Sequence, residues 1–395
     1  MLDTSLSQLL GAERIRSLNG PLGKAEGLPG RMYTDPAIWD IERRTVFRKD
    51  WFAAGYASDL PNVGDVLPVE IAGWELVFVR GEDGKIRCFH NICRHRGTKL
   101  VQKPTNTQLI RCGWHRWTYA LDGSLRATPI VGGQRINQAD GIDPLQLGLV
   151  PVRVEEWVDV LFVNIDGAAP SLETHLAPLK KLFEPYKVEE FRTDAPAENH
   201  EQIVEINWKL YHEGGLEGYH IPFVHPALEQ PPGYRMDVGE GCFVSISADL
   251  GNFKRLGTEG GTKPAQFSLN AFAKTAAAGG KRLPYTIAFT PPTVIIATWP
   301  EMLIVTMLRP ISMTQTGIRR RMYFIGEAAS DPACAQARQK ILDIWDGVTE
   351  EDGSYSTGVQ KMSGLREELG IETRFSPHWE PAVRAFQQYV VRALS

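Results

Sequence analysis

The sequence predicts an α+β chain: an all-β module, then a second domain in which an antiparallel sheet carries long helices. Three observations support this. A length of 395 residues exceeds what one ordinary core organises. Between about 50 and 170, short Val-, Ile- and Phe-rich segments alternate with tight-turn signals. Beyond about 175 the segments lengthen, and strand and helix patterns mix. The expected division is a helical segment at 1–49 packing on the second domain, a β module at 50–170 and the second domain at 171–395.

Asp35-Pro36 supplies an N-cap and a first-turn proline, predicting a helix through about Trp51. Strands are expected at Asp65–Ile71, Glu75–Arg80 and Ile86–Asn91, with Asp83-Gly84 as a hairpin turn. Further strands fall at Gln108–Arg111, Trp117–Leu121 and Val160–Ile165, with Asp122-Gly123 as a second turn. In the later half, strands are predicted at Gln202–Ile206, Cys242–Asp249, Thr293–Trp299, Met302–Arg309 and Ile318–Gly326. Helices are predicted at Trp208–Tyr219, Pro332–Trp345, Glu350–Ser363 and Pro381–Leu394. The segment Leu256–Leu283, rich in Gly, Ala and Lys, reads as a mobile loop over an opening or as an insertion without consequence.

A formal charge of −4 and the lack of a Lys/Arg block interleaved with aromatics argue against a nucleic-acid binder. Five cysteines are an odd number for a disulfide framework and fit a reducing compartment, so a cytoplasmic setting is expected. Met1–Ser17 has no uninterrupted apolar run of the secretory type. The most apolar stretch, Thr293–Leu308, is interrupted by Pro300 and Glu301, so no membrane span is expected.

Two clusters carry chemistry. Cys93-Arg94-His95 and Cys112-Gly113-Trp114-His115 are separated by 16 residues. One Cys and one His per arm is the ligand pattern of a Rieske [2Fe–2S] cluster: thiolates hold one iron, neutral imidazoles the other, and the potential rises to roughly −150 to +300 mV. A structural zinc knuckle is the alternative, although zinc fingers usually pair C-x-x-C with two histidines.

The second constellation lies between Asn207 and His225. On a helix, Glu213, Glu217 and His220 fall at i, i+4 and i+7 and share a face. Pro222 is expected to end that helix and let His225 swing back towards a metal facing His220. Two imidazoles and one distant carboxylate form the facial triad of non-haem Fe(II). Asp352, in Thr349-Glu350-Glu351-Asp352-Gly353, is the chosen carboxylate. Two histidines five apart are also common as plain surface or core residues, and acids opening a helix also suit its macrodipole, which would by itself account for Glu350, Glu351 and Asp352.

On C-R-H…C-G-W-H, N-W-K…E-G-Y-H-I-P-F-V-H and E-E-D…Q, in that order from about residue 30 onward, the chain resembles the catalytic α subunits of Rieske non-haem iron oxygenases. The resemblance implies a helix-grip catalytic domain after the Rieske domain. It implies one [2Fe–2S] cluster on Cys93, His95, Cys112 and His115, and one Fe(II) on His220, His225 and Asp352. It further implies a homotrimer in which the cluster of one subunit reduces the iron of its neighbour, with Glu217 as the catalytic residue bridging the two centres. Two departures stand out. Where the family usually has C-P-Y-H-G-W, this chain has Cys112-Gly113-Trp114-His115-Arg116-Trp117, which places a charge beside the cluster. Where many ring-hydroxylating members carry an Asp bridge, this chain has Glu217, one methylene longer, as in the branch acting on choline, carnitine and glycine betaine.

The expected function is therefore the terminal oxygenase component of a multicomponent system, oxidising a small organic substrate with O2. A quaternary amine undergoing N-demethylation or hydroxylation is one substrate reading; an aromatic acid undergoing ring hydroxylation or O-demethylation is another. A Rieske electron carrier with an inactive second domain, or a scaffold using Leu256–Leu283, are alternatives of other classes. No G-x-G-x-x-G follows a strand, and Cys88 and Cys93 lack the further Cys of a plant-type ferredoxin, so electrons are expected from a separate NAD(P)H-dependent flavin/[2Fe–2S] reductase, directly or through a ferredoxin. Phe243, Tyr285, Phe289 and Trp299 are candidate aromatic faces for a trimethylammonium group, or ordinary strand core. Lys254, Arg255, Lys263, Lys281 and Arg282 would suit an anion.

Overall fold

The computed structural model describes residues 6–193, 201–225, 235–239, 244–248, 285–298 and 302–395. They form two units, Phe47–Leu172 and the segment up to Val46 with Glu173–Ser395. Leu256–Leu283, Phe243, Trp299 and the five basic residues named for an anion lie outside the described residues.

Phe47–Leu172 is all β. A seven-stranded antiparallel sheet runs in the order Phe52–Tyr56, Val160–Asn164, Pro151–Trp157, Ile86–His90, Trp74–Arg80, Asp65–Ile71 and Thr105–Asn106. A three-stranded sheet is formed by Leu109–Arg111, Thr118–Ala120 and Leu125–Ala127. Asp83-Gly84 and Asp122-Gly123 fall in the turns expected of them, between Trp74–Arg80 and Ile86–His90 and between Thr118–Ala120 and Leu125–Ala127. The core gathers Val66, Val77, Val79, Phe89, Ile110, Trp117 and Tyr119 together with Cys93 and Cys112. Both ligand loops are thus rooted in packed apolar side chains and open outward from them.

The other unit is built on an eight-stranded antiparallel sheet. Its main path is Phe191–Arg192, Gln315–Ile325, Met302–Ser312, Val294–Thr298, Tyr285–Thr290, Val244–Ala248 and Arg235–Val238, and Glu201–Val204 pairs with Gln315–Ile325 beside it. Met302, Ile304, Met322 and Phe324 pack against Ile341, Leu342 and Trp345 of a helix on one face. Three sequence expectations need correction. The predicted helices Pro332–Trp345 and Glu350–Ser363 are one helix, Ala335–Glu368, because Gly347 and Gly353 each cost only about 1 kcal/mol and packing on both flanks outweighs this. The predicted helix Trp208–Tyr219 ends at Gly215, where the poor helix formers Gly214 and Gly215 stand together, and Pro222 lies in the first turn of a further short helix, Ile221–Val224. The helix opening at Asp35-Pro36 breaks at Thr45 into Pro36–Arg44 and Val46–Lys49.

Candidate metal centres

The two Rieske-type loops repeat one backbone pattern. The Cys93 N–H donates to Thr98 O at 2.8 Å and the Gly97 N–H to Cys93 O at 2.9 Å; likewise Cys112 donates to Trp117 O at 2.8 Å and Arg116 to Cys112 O at 3.2 Å. Each loop therefore turns back five residues after its cysteine, through a residue with left-handed φ: Gly97 at +71° and Arg116 at +61°. Glycine adopts that conformation freely, whereas a residue with a Cβ is strained there by roughly 1–3 kcal/mol. Arg116 is thus the position where the family's usual Gly has been lost. Arg116→Val, which adds branching at Cβ, is expected to lower stability by about 1 kcal/mol beyond arginine, whereas Arg116→Gly should raise it by about 1 kcal/mol because the relieved strain exceeds the ~0.4–1 kcal/mol of added unfolded-state freedom. Thermal unfolding followed at the cluster absorbance checks both.

Within this frame the four residues converge. Both cysteines are buried and free of disulfides. The His95 and His115 rings lie 4.5 Å apart edge to face, and His95 stacks on Trp117 at 4.9 Å. Tyr119 accepts from the Arg94 N–H at 3.0 Å, so its own hydroxyl proton is free to point at the Cys93 sulfur 3.4 Å away. Burial pushes the Cys93 thiol up, against the lowering effect of Tyr119, so a thiolate here calls for a bound cation. The Nδ1 of His95 is buried with no hydrogen-bond partner among the described residues. A buried imidazole nitrogen without a hydrogen-bond partner is suited to ligating a metal, and the donor set fits a [2Fe–2S] cluster.

The mononuclear site is a triangle of donor atoms. His220 Nε2 and His225 Nε2 are 3.2 Å apart, and Asp352 Oδ1 lies 3.1 Å from His225 Nε2 and 3.5 Å from His220 Nε2. Three ligands each about 2.1 Å from an octahedral ion, at right angles, are separated by ~3 Å. These separations fit three ligands that would share one metal ion. Carboxylates settle the tautomers: Glu217 faces His220 Nδ1, and Glu351 Oε2 faces His225 Nδ1 at 2.8 Å. With each Nδ1 carrying the proton, both Nε2 lone pairs and the Asp352 oxygen converge, an arrangement that a bound cation would satisfy. Burial alone would push His225 down, yet Asp352 and Glu351 more than reverse it and its pKa is raised. These residues fit an iron ion. Glu217 is itself held by the backbone N–H groups of Tyr219 and His220, which fold its carboxylate back over the chain turn.

What sets this geometry is a buried polar frame that local patterns did not reveal. Asn207 caps the helix Trp208–Gly215 by accepting from the Lys209 N–H. Trp208 Nε1 donates to Glu42 at 3.0 Å, and Lys209 forms a fully buried ion pair with the same carboxylate. Removing one partner of such a pair typically costs about 3–5 kcal/mol, which makes N-W-K an anchor. Gln360, two turns beyond Asp352, accepts from the Asn207 N–H at 2.9 Å and donates to Tyr33 O at 3.0 Å. Gly30 lies so close to the long helix that a Cβ there would come within 1.8 Å of Ser363 O. The helix bearing Asp352 is thus clamped to the helix preceding the two histidines.

Other residues around this region have partners of their own. Glu213 does not share a face with Glu217: Tyr33 donates to it at 2.8 Å, and burial pushes its carboxyl up to about 7. His212 donates through Nε2 to Pro292 O at 2.8 Å, and burial holds it neutral, with its pKa down to about 4. Tyr285 sits in the apolar cluster beside the long helix, and Phe289 lies against His212 with ring centroids 6.2 Å apart.

The fold and the two donor sets define a class: a Rieske-type electron-transfer domain joined to a mononuclear-iron domain. A Rieske [2Fe-2S] domain family matches residues 50–138, and the ring hydroxylating alpha subunit (catalytic domain) family matches residues 184–395, more than half of the chain. The chain belongs to the ring-hydroxylating alpha subunit family. Among similar proteins, the glycine betaine monooxygenase oxygenase subunit of Chromohalobacter salexigens is 35% identical over 202 residues, 51% of this chain and 43% of that protein. The carnitine monooxygenase oxygenase subunit of Escherichia coli K12 is 33% identical over 210 residues, 51% of this chain and 52% of that protein. The chain thus spans about half the length of the curated relatives it matches. Among solved structures, the quaternary ammonium Rieske monooxygenase CntA in complex with L-carnitine superposes with a TM-score of 0.75 at 20% identity, over 96% of this chain and 98% of that one. Naphthalene 1,2-dioxygenase from Rhodococcus gives 0.75 at 19%, over 99% of both. These likenesses establish the fold. No helix among the described residues is long and apolar enough to cross a membrane.

Proposed function

We propose that the chain is the terminal oxygenase component of a Rieske system, oxidising a quaternary amine such as a betaine or carnitine. The observation that carries the oxygenase part of this reading is the donor triangle of His220, His225 and Asp352, with Glu217 on the back of His220. When bound, the cluster supplies single electrons and the ferrous ion supplies open positions for dioxygen. The protein's own part is to hold geometry and protons. His225 and Asp352 keep one side of the site filled. Glu217, with its side chain 13% exposed, holds the His220 Nδ1 proton in a hydrogen bond that tightens or loosens as charge at the site changes, coupling proton position to electron arrival. Electrons come from an NAD(P)H-dependent flavin/[2Fe–2S] reductase, directly or through a ferredoxin, in a cytoplasmic homotrimer where Glu217 bridges to the cluster of a neighbouring subunit.

The quaternary-amine reading is supported by relatives of 32–35% identity named for glycine betaine and of 33% named for carnitine. A second reading, dioxygenation of an aromatic acid, is supported by 32% identity over 204 residues to the 2-aminobenzenesulfonate 2,3-dioxygenase subunit alpha of an Alcaligenes species. Supplying glycine betaine, carnitine and 2-aminobenzenesulfonate to the iron-loaded protein with a surrogate reductase separates the two. Formaldehyde released in step with oxygen uptake supports N-demethylation, and a ring diol supports the second reading. If no compound raises oxygen uptake above the substrate-free rate and only cluster iron is bound, the protein is an electron carrier.

A further inference from the structure

One helix delivers two adjacent carboxylates to opposite ends of a single imidazole. Asp352 Oδ1 lies 3.1 Å from His225 Nε2, and Glu351 Oε2 lies 2.8 Å from His225 Nδ1. The sequence offered the macrodipole as an account of these acids. That account fails because the helix starts at Ala335, which puts Glu351 and Asp352 in its middle, far from the N-terminal partial charge. The His225 side chain is 2% exposed, so a misplaced proton on its ring would not be corrected by water.

We infer that Glu351 is the positioning residue of the iron site: it fixes the His225 ring in the tautomer that frees Nε2, and its charge makes that nitrogen a stronger donor. The inference rests on the iron-binding reading of the triad. It gives the two histidines different environments. His220 is backed by Glu217, whose side chain is 13% exposed, whereas His225 is backed by Glu351, 42% exposed. The sequestered carboxylate is suited to electron and proton coupling. The solvent-facing one is suited to orienting the ring from behind, away from the donor atoms. Glu351 thus acts through His225 and touches neither metal nor substrate. In the adjacent Glu351-Asp352 pair, a helical step of about 100° per residue is what lets one helix straddle the ring.

The test measures Fe(II) affinity of the otherwise complete protein, by anaerobic titration after selective removal of the mononuclear iron, with the cluster absorbance as an internal control of folding. Glu351→Ala is expected to weaken Fe(II) binding about 10- to 100-fold. Glu351→Gln keeps an acceptor for the Nδ1 proton without the charge and should recover part of that loss. Glu350→Gln removes the same charge from the same helix at an exposed neighbour and should change affinity by less than about threefold, as a screened surface charge does. The electron paramagnetic resonance signal of the ferrous nitric oxide adduct should also change shape in Glu351→Ala and not in Glu350→Gln, reporting ligand orientation independently of turnover. Equal affinities in Glu351→Ala and wild type, or equal losses in Glu351→Ala and Glu350→Gln, would overturn the role of Glu351 while leaving the triad standing. A wild-type protein that binds no iron beyond the cluster would overturn both.

Discussion

His225→Ala is expected to bind two irons per chain instead of three, the two belonging to the cluster and the missing one to the facial triad. The substitution removes one corner of the donor triangle and leaves Asp352 and Glu351 facing a cavity without the imidazole that lay between them. With one of the three donors gone, the remaining His220 and Asp352 should not retain the ion by themselves. The Rieske absorbance should be unchanged, since its ligands belong to loops of the other compact unit. Metal analysis together with the visible spectrum checks this. Three irons in the purified variant would remove His225 from the ligand set.

Glu217→Gln is expected to have the opposite profile: full iron content, an intact cluster spectrum and turnover reduced on the order of 10² to 10⁴, the scale of a lost proton-transfer partner. Gln is nearly isosteric and can still accept the His220 Nδ1–H, but it cannot take up negative charge or a proton. The carboxylate's other contacts, to the N–H groups of Tyr219 and His220, are of a kind that an amide oxygen also makes. Geometry should therefore survive where reactivity does not. Single-turnover product formation at the wild-type rate would refute the bridging role of Glu217. This split also separates Glu217 from Glu351, whose loss is read in metal affinity.

These contrasts reflect how differently the two centres are written into the chain. The Rieske loops were legible because all that matters about them is local. Cys93 and His95, and Cys112 and His115, lie within one turn of each other, and flanking strands with alternating apolar residues announce where the loops must be. The turn residues were legible too, with Arg116 exposed as a departure by its place in the motif. The strain it carries became apparent only from its φ of +61°. Helix bounds were read less well. Gly214 and Gly215 end a helix that periodicity alone extends to Tyr219, while Gly347 and Gly353 fail to end one, since neighbouring packing decides whether a glycine's modest cost is tolerated.

By itself the sequence determined the donor types, the spacing of His220 and His225, and an α+β architecture with the candidate iron–sulfur ligands in β loops. Only the tertiary structure decided which carboxylate served which nitrogen. Glu351 meets His225 across 126 residues and Gln360 meets Asn207 across 153. Glu42 closes on Lys209 across 167. Such pairs leave no periodic trace, because a hydrogen bond between distant segments depends on where whole helices pack and not on the spacing of residues along either one.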